Sequence, residues 1–173
     1  MALDEAKDPE NLVRAAAETV RACPEARYVL AGKGVLEPKI KRLISELGIS
    51  DKFRLLGYRK DPYGILAAVD VYTLSSKEEG MGSGQIEALA ARLPIAATDA
   101  GGIGDVTKNG VNGLLVPPSD SKALAAAHIR LLRSEQTRRA MAEEGVKILL
   151  ANFTSAKMAE KTLACYAAAG DLK

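Results

Sequence analysis

The sequence predicts an α/β fold with a single doubly wound parallel sheet and a helical C-terminal tail. Two observations predict this fold. Short apolar runs alternate with amphipathic stretches over about residues 1–120, as they do in a sheet that is covered by helices on both faces. From about residue 121 to residue 173 only helical periodicity remains, which indicates a tail without strands.

The first half of the chain alternates helices with strands. Apolar residues recur at helical spacing over residues 9–22, and Pro24 follows that stretch. Residues 28–31 are apolar on both faces, which is typical of a buried parallel strand. Gly48 ends a second helix, and Asp61 is a candidate N-cap for a third. The predicted helices are 9–22, 36–47 and 61–68, and the predicted strands are 28–31, 53–56 and 69–74.

The second half begins with a glycine-rich loop, EEGMGSG, at residues 78–84. Turn dipeptides at Asn109-Gly110 and Asn112-Gly113 separate the last two apolar runs. Two prolines at 117–118 end the last strand, and Ser121 caps the helix that follows. The predicted strands are 94–97 and 114–116, and the predicted helices are 84–92, 121–133, 135–150 and 155–168.

Length and composition restrict the function. The 173 residues make one domain, of which 47% are apolar and 4% aromatic, so the core is aliphatic. With 24 basic and 22 acidic residues the net charge is +2, which argues against binding to nucleic acid. The acidic amino terminus and the lack of a long apolar run predict a cytoplasmic protein with no signal peptide. Cys23 and Cys165 are expected to be buried, reduced thiols.

Glycine-rich turns follow three predicted strands, at the sheet edge where open parallel sheets bind ligands. The turn Gly32-Lys33-Gly34 is weak evidence, because a tight turn alone often explains such a pattern. The loop at residues 79–84 is stronger evidence. Its glycines let the backbone approach a ligand, and the helix that begins there presents free N–H groups and a positive dipole end near Ser83. That end predicts an anion site that suits a diphosphate.

Two glutamates flank this predicted anion site. Glu79 lies in the loop and Glu87 lies one turn into the helix. A carboxylate beside a phosphate site can accept hydrogen bonds from sugar or ribose hydroxyls. The spacing alone is equally compatible with a pair of solvated surface glutamates.

The segment at residues 75–105, SSKEEGMGSGQIEALAARLPIAATDAGGIGD, resembles the signature of family-4 retaining glycosyltransferases. Those enzymes carry two glutamates separated by seven residues, as Glu79 and Glu87 are here. The runs VLAGKG, FRLLGY, NGLLVPP and NFT follow in the family's order, and Lys7 resembles the lysine before its first helix. The resemblance covers essentially the whole chain.

The resemblance implies the C-terminal, nucleotide-sugar-binding half of a GT-B enzyme, which is a Rossmann-like domain. The partners would then be a nucleotide-sugar donor and an N-terminal acceptor domain, which this chain lacks. No cofactor and no metal are implied, since the family needs neither. The arginine that the family carries five or six residues before its lysine is missing, because the chain begins there. The domain alone would then bind nucleotide weakly and transfer no sugar.

The resemblance also implies roles for single residues. Glu87 would accept hydrogen bonds from the ribose, Glu79 would contact the transferred sugar, and Lys7 would neutralise phosphate charge. The other implied donor-binding residues are Met81, Gly82, Ser83 and Gly84 at the sugar and diphosphate, Gly32 and Gly34 beneath the diphosphate, and Tyr58 and Arg59 near the base.

The sequence departs from the family pattern at a few positions. Gly104 and Asp105 replace a usual Pro-Glu, Ser75 stands where proline is common, and Arg92 stands where glycine is common. These departures put the loop geometry in doubt and leave the resemblance intact.

Two other interpretations stay open on the sequence. One is a non-catalytic interaction or regulatory domain on the same scaffold, and the other is half of a different GT-B-type enzyme, such as a sugar epimerase or a phosphorylase.

Two further features favour structural roles. His128 falls on an apolar helix face, which predicts a packing role rather than that of a catalytic base. A basic cluster predicts a solvated helix surface, with peripheral contact to the inner membrane or to a partner as the alternative. Its members are Arg130, Arg133, Arg138 and Arg139.

Overall fold

The computed structural model describes residues 1–170 as alternating strands and helices followed by three helices. Residues 171–173, at the end of the predicted tail, lie outside this description. The strands are β1 (Tyr28–Ala31), β2 (Phe53–Gly57), β3 (Tyr72–Leu74), β4 (Ile95–Thr98) and β5 (Gly113–Val116). The helices are α1 (Pro9–Ala22), α2 (Glu37–Glu46), α3 (Tyr63–Leu66), α4 (Ser83–Ala90), α5 (Ile103–Val106), α6 (Ser121–Arg133), α7 (Glu135–Asn152) and α8 (Ser155–Gly170).

All strand pairs in the described part of the chain are parallel. Strand β1 pairs with β2 from Tyr28 opposite Phe53, and a shift in register follows Leu30. Strand β4 pairs with β3 on one side and with β5 on the other. The predicted single sheet is thus divided, within residues 1–170, into a two-stranded sheet β1-β2 and a three-stranded sheet β3-β4-β5. No ladder joins β1 to β3 in this range.

Aliphatic side chains fill the space around both sheets, as the low aromatic content predicts. One cluster joins α1 and α2 to the two-stranded sheet, with Val13 and Ile40 fully buried. A second joins α4 and α5 to the three-stranded sheet around Leu89 and Ile95. A third links α1 to α6 through Ala15 and several buried residues, among them Leu124 and Leu131. Packing between α1 and α6 therefore connects the halves of the domain.

The structure corrects some predicted boundaries. Strand β3 begins at Tyr72 rather than at residue 69, because its first bond to the neighbouring strand is the one that the Tyr72 amide donates to the Pro94 carbonyl. Helix α3 is a single turn, and the Asp61 carboxylate accepts from the Tyr63 amide at its start. The prediction of buried thiols is wrong, since Cys23 is half-buried and Cys165 is exposed.

Arg92, which stands where the family favours glycine, lies in the left-handed region with φ of 58°. It follows the end of α4 and leads the chain into β4. A left-handed residue is the usual way to end a helix, and glycine adopts it without the strain that a Cβ brings. Arg92 therefore adopts a conformation that glycine would adopt with less strain.

The three last helices form the predicted tail. Helix α7 packs against α4, and α8 leaves Met158, Leu163 and Tyr166 largely exposed. Within residues 1–170, none of the helices is both long and apolar enough to cross a bilayer.

The predicted basic cluster is partly structural. The Arg138 guanidinium donates to two carbonyls at the end of α6, and Arg133 donates to the carbonyl of Ala22.

His128 bridges the two sheets from α6. Its Nδ1 lies 2.9 Å from the Tyr28 hydroxyl on β1, and its Nε2 lies 3.1 Å from the Thr73 hydroxyl on β3. The side chain is 3% exposed, which confirms the predicted packing role. Burial lowers the pKa of His128 to about 4. The ring is therefore neutral near pH 7, with one nitrogen donating and the other accepting.

This burial predicts a loss of stability in mild acid. The unfolded imidazole binds a proton near pH 6.5 and the folded one near pH 4, so the free energy of unfolding falls as the pH drops through that window. Between pH 7 and pH 4.5, protonation of this histidine in the unfolded state should lower the free energy of unfolding by about 2 kcal/mol. Neither flanking hydroxyl titrates there, because burial raises the pKa of Tyr28 further above its usual value. Urea unfolding at both pH values, for wild type and for His128→Gln, measures the effect. Equal pH dependence in the two proteins would contradict the assignment.

Candidate functional site

The amino-terminal segment lies across the carboxyl end of β1. The Met1 amine donates to the Ala31 carbonyl at 2.7 Å, and the Leu3 amide donates to the Lys33 carbonyl at 3.1 Å. A Cβ on Gly32 would lie 1.7 Å from the Met1 carbonyl oxygen, and one on Gly34 would lie 2.4 Å from that of Leu3. The glycines of this turn thus admit the chain's own backbone.

Lys7 is fixed at the carboxyl end of β3. The Ser75 hydroxyl donates to the Lys7 carbonyl at 2.8 Å, and the Lys77 amide donates to the Ala6 carbonyl at 2.8 Å. The Lys7 ammonium then reaches Glu79 Oε2 at 2.5 Å, with the two side chains 24% and 12% exposed. A lysine from the start of the chain and a carboxylate from the signature segment therefore meet at one point.

Two further groups lie near this ion pair. The Met1 amine is held close enough to Lys7 to feel its charge, and its pKa is lowered by burial and by that lysine. The Ser76 hydroxyl also donates to Glu79 Oε2 at 3.2 Å. Glu79 thus accepts hydrogen bonds from the Lys7 ammonium and from the Ser76 hydroxyl.

The glycine-rich loop ends at an uncapped helix. Gly82 occupies the N-cap of α4 with φ of 67°, and no side chain caps the helix there. The buried amide of Gln85 holds the loop from below, since its Nε2 donates to the Met81 carbonyl at 2.9 Å and its Oε1 accepts from the Thr107 hydroxyl at 2.5 Å. The Gln85 backbone amide donates to the Gly82 carbonyl, so the amides of Ser83 and Gly84 are the ones available to an acceptor such as a phosphate oxygen.

A second glycine pair supports the same loop. The Gly102 amide donates to the Glu79 carbonyl at 3.1 Å. A Cβ on Gly101 would lie 2.0 Å from the Glu79 carbonyl oxygen, and one on Gly102 would lie 2.2 Å from that of Gly80. The turn after β4 therefore packs directly against the backbone of the glycine-rich loop.

Both glutamates lie close enough to Tyr72 to affect its phenol. Burial, followed by the charges of Glu87 and Glu79, raises the pKa of the Tyr72 phenol above its usual range, so it stays protonated. A Cβ on Gly84 would lie 2.3 Å from the Tyr72 hydroxyl oxygen. The first turn of α4 thus lies against this phenol.

One cavity of about 1070 Å³ joins these groups. Most of the predicted site residues line it, and Met81 and Gly34 do not. The residues that do are Lys7, Gly32, Tyr58, Arg59, Glu79, Gly82, Ser83, Gly84 and Glu87. Tyr58 and Arg59 are exposed at its rim, where the Lys33 ammonium lies 5.7 Å from the centre of the Tyr58 ring. Within residues 1–170, no three acidic, histidine or cysteine side chains come together as a metal site would require.

Sequence analysis missed three residues that shape the site. Ser76, Gln85 and Tyr72 each bond or pack against the loop or its glutamates. Of these three, only Gln85 could have been predicted from the sequence, because a polar residue on the buried side of a short apolar helix needs hydrogen-bond partners.

The contact between Gly84 and Tyr72 predicts a stability effect. Gly84→Ala should destabilise the domain by about 1–3 kcal/mol, because the added methyl overlaps the phenol oxygen. Adding Tyr72→Phe should recover a large part of the loss, since it removes that oxygen. Gly80→Ala is the matched control, because a Cβ there meets nothing within 4 Å. Urea unfolding followed by circular dichroism measures all four proteins. A harmless Gly84→Ala would show that the helix turn does not rest on Tyr72.

Comparison with known proteins extends the resemblance. The model of the family "Glycosyl transferases group 1" matches residues 1–148. The D-inositol 3-phosphate glycosyltransferase of Nocardia farcinica is 34% identical over 172 residues, which are 94% of this chain and 38% of that protein. The structure of Anabaena HepE in complex with UDP matches with a TM-score of 0.89 at 24% identity, over 97% of this chain and 47% of HepE.

A match to an isolated domain gives the same result. The C-terminal domain of the group 1 glycosyl transferase LpcC from Francisella tularensis matches with a TM-score of 0.81 at 22% identity, over 89% of this chain and 83% of that domain. The chain thus spans less than half of the N. farcinica relative and of HepE, and most of a solved C-terminal domain. The predicted family and fold class are confirmed: the chain belongs to the group 1 glycosyl transferases and has the fold of the C-terminal domain of a GT-B glycosyltransferase.

Proposed function

We propose that this chain is the donor-binding domain of a retaining glycosyltransferase, which transfers a sugar from a nucleoside diphosphate to a hydroxyl acceptor. The observation that carries the proposal is the meeting of Lys7, Glu79 and the uncapped end of α4 in one cavity, with Glu87 on the same helix. An ammonium group and free backbone N–H groups suit a diphosphate, and carboxylates suit sugar hydroxyls. The HepE complex with UDP is consistent with such a ligand.

The diphosphate would lie between Lys7 and the first turn of α4. Two hydrogen bonds tie the backbone at Ala6 and Lys7 to the end of β3, so the cation is held in place before the ligand arrives. Fixed charges and dipoles of this kind stabilise a developing negative charge at little reorganisation cost. When the bond between the anomeric carbon and the diphosphate breaks, its electron pair goes to the diphosphate, and these groups would neutralise it.

The carboxylates would hold the two sugar rings of the donor. Glu87 would accept from the ribose hydroxyls, and Glu79, next to the phosphate cation, would accept from the transferred sugar. Ser83 and Gly84 would offer their amides to the diphosphate, and Tyr58 and Arg59 would flank the base at the rim. No metal ion has a role in this scheme, because the cations and the helix end supply the positive charge.

The acceptor would come from an N-terminal domain that faces this cavity across a cleft. The position five residues before Lys7 is Ala2, which lines the cavity and carries no charge. With the cleft open and one cation fewer than the family pattern, this domain alone would bind nucleotide weakly and transfer no sugar. Its cytoplasmic location and the contact with the inner membrane stay predictions from the sequence.

Titration calorimetry with UDP, GDP and ADP tests the proposed ligand class. We expect a dissociation constant of roughly 0.1–1 mM for at least one of them, or about 4–5.5 kcal/mol. Heats that match buffer dilution for all three at millimolar concentrations would contradict a donor site. They would favour the interaction-domain alternative.

Glu87→Gln tests the ribose contact. The variant keeps the side-chain shape and should weaken nucleotide binding by about 1–3 kcal/mol, because a neutral amide is a poorer acceptor than a carboxylate. Glu46→Gln on α2 is the matched control, since Glu46 is exposed and does not line the cavity. Equal affinity for wild type and Glu87→Gln would remove Glu87 from the site.

Glu79→Gln tests the charge balance at Lys7. Removal of the carboxylate frees the ammonium for phosphate, so UDP should bind about threefold to tenfold more tightly. Lys7→Gln should have the opposite effect on the same titration. Weaker UDP binding by Glu79→Gln would mean that the carboxylate supports the diphosphate site rather than competing with it.

A further inference from the structure

In the described part of the chain, the hydroxyl of Tyr72 has no hydrogen-bond partner. Tyr72 begins β3 and lines the cavity of the candidate site. The Tyr28 hydroxyl on β1, by contrast, lies 2.9 Å from His128 Nδ1. Within residues 1–170 only the side-chain nitrogen of Asn11 is both fully enclosed and unpaired. The unpaired oxygen of Tyr72 is therefore open to the cavity rather than enclosed.

The position of this hydroxyl follows from Gly84. A Cβ on Gly84 would lie 2.3 Å from the Tyr72 oxygen, so the phenol occupies the space that a side chain at position 84 would fill. The Cα–Cβ bond of a helical residue tilts toward the amino-terminal end of its helix. The oxygen therefore lies toward the start of α4, where the amides of Ser83 and Gly84 are available and no side chain caps the helix.

The surroundings keep the phenol a hydrogen-bond donor. Burial, and then the charges of Glu87 and Glu79, raise the pKa of Tyr72, so the hydroxyl keeps its proton near neutral pH. Gly84 and Glu87 are three residues apart and share one face of α4. The hydroxyl thus lies beside the first turn of α4, on the face that carries the carboxylate proposed to bind the ribose. A phosphate oxygen and a ribose hydroxyl are the two groups of a nucleotide that could take its proton in a hydrogen bond.

We propose that the Tyr72 hydroxyl binds the nucleotide directly, by donating one hydrogen bond to a phosphate oxygen held at the start of α4. A phosphate is favoured over the ribose because the neighbouring amides of Ser83 and Gly84 suit an anion. The phenol is also held in place before a ligand arrives, since Tyr72 pairs with Ile95 in the ladder between β3 and β4. This inference rests on the proposed function, and it adds a neutral donor to Lys7 and the helix end.

Tyr72→Phe tests the proposal, because it removes the donor and keeps the ring. The ligand is whichever of UDP, GDP and ADP the wild type binds most tightly. Followed by NMR titration, its affinity should fall about threefold to tenfold in the variant. The Tm should equal that of the wild type, since no hydrogen bond within residues 1–170 is lost. Tyr63→Phe on α3 is the matched control, because Tyr63 is exposed and does not line the cavity.

The outcomes separate this inference from the function on which it rests. Equal affinity for wild type and Tyr72→Phe would overturn the phenol contact alone, whereas a wild type that binds none of the three nucleotides would overturn the donor site and the contact together. A lower Tm for Tyr72→Phe would reveal a protein partner for the hydroxyl and would also overturn the proposal.

A second ligand distinguishes the phosphate from the ribose. The 2′,3′-dideoxy form of the same nucleotide keeps both phosphates and lacks the ribose hydroxyls. Tyr72→Phe should weaken its binding by the same factor as that of the parent nucleotide, because the proposed contact is made to a phosphate oxygen. A loss of affinity that disappears with the dideoxy form would assign the phenol to the ribose and overturn the proposal.

Discussion

The first eight residues hold the molecule together at the point where its sheets divide. Met1 and Leu3 bond to the end of β1, and Ala6 and Lys7 bond to the end of β3. The segment therefore spans the carboxyl ends of both sheets, which is the edge where the ligand site lies. Asp8 continues this role, since it caps α1 and accepts from the Ser119 hydroxyl after β5. The position of Lys7, the cation proposed to bind phosphate, is thus a consequence of how this segment connects the two sheets.

The charge of Lys7 is already paired in the absence of a ligand. The Lys7 ammonium is paired with Glu79, and burial and the charge of Lys7 lower the pKa of the Met1 amine. In the proposed scheme, a diphosphate would therefore compete with a carboxylate for the cation, while no side chain would compete with it for the amides at the start of α4. The helix end would then contribute more to the first binding of the anion, and the lysine would contribute more once negative charge develops on the diphosphate.

Sequence reasoning was strong for local patterns and weak for what lies between elements. The periodicity of residues 9–22 and the stop at Cys23-Pro24 gave α1 to the residue, because propensity, capping and packing agree there. Glu79, Glu87 and the start of α4 line one cavity, as the resemblance of the signature segment implied. The division of the sheet was missed, since an apolar run shows that a strand is buried but not whether it has partners on both sides. Residues that act through one bond, such as Ser76 and Tyr72, likewise leave no trace in spacing.

The backbone contact between the two glycine turns has a consequence for how variants of such domains are understood. Gly101 and Gly102 have no contact with the ligand in the proposed scheme, yet their bare Cα atoms face the backbone carbonyl oxygens of Glu79 and Gly80. Any side chain at either position would displace the carboxylate loop by an ångström or more while leaving every ligand-facing residue in the sequence unchanged. A substitution at either glycine would therefore be expected to lower activity in the same way as the loss of a ligand-binding side chain. A second substitution that shifts the loop backbone back could restore the activity, whereas a change of a ligand-facing side chain could not.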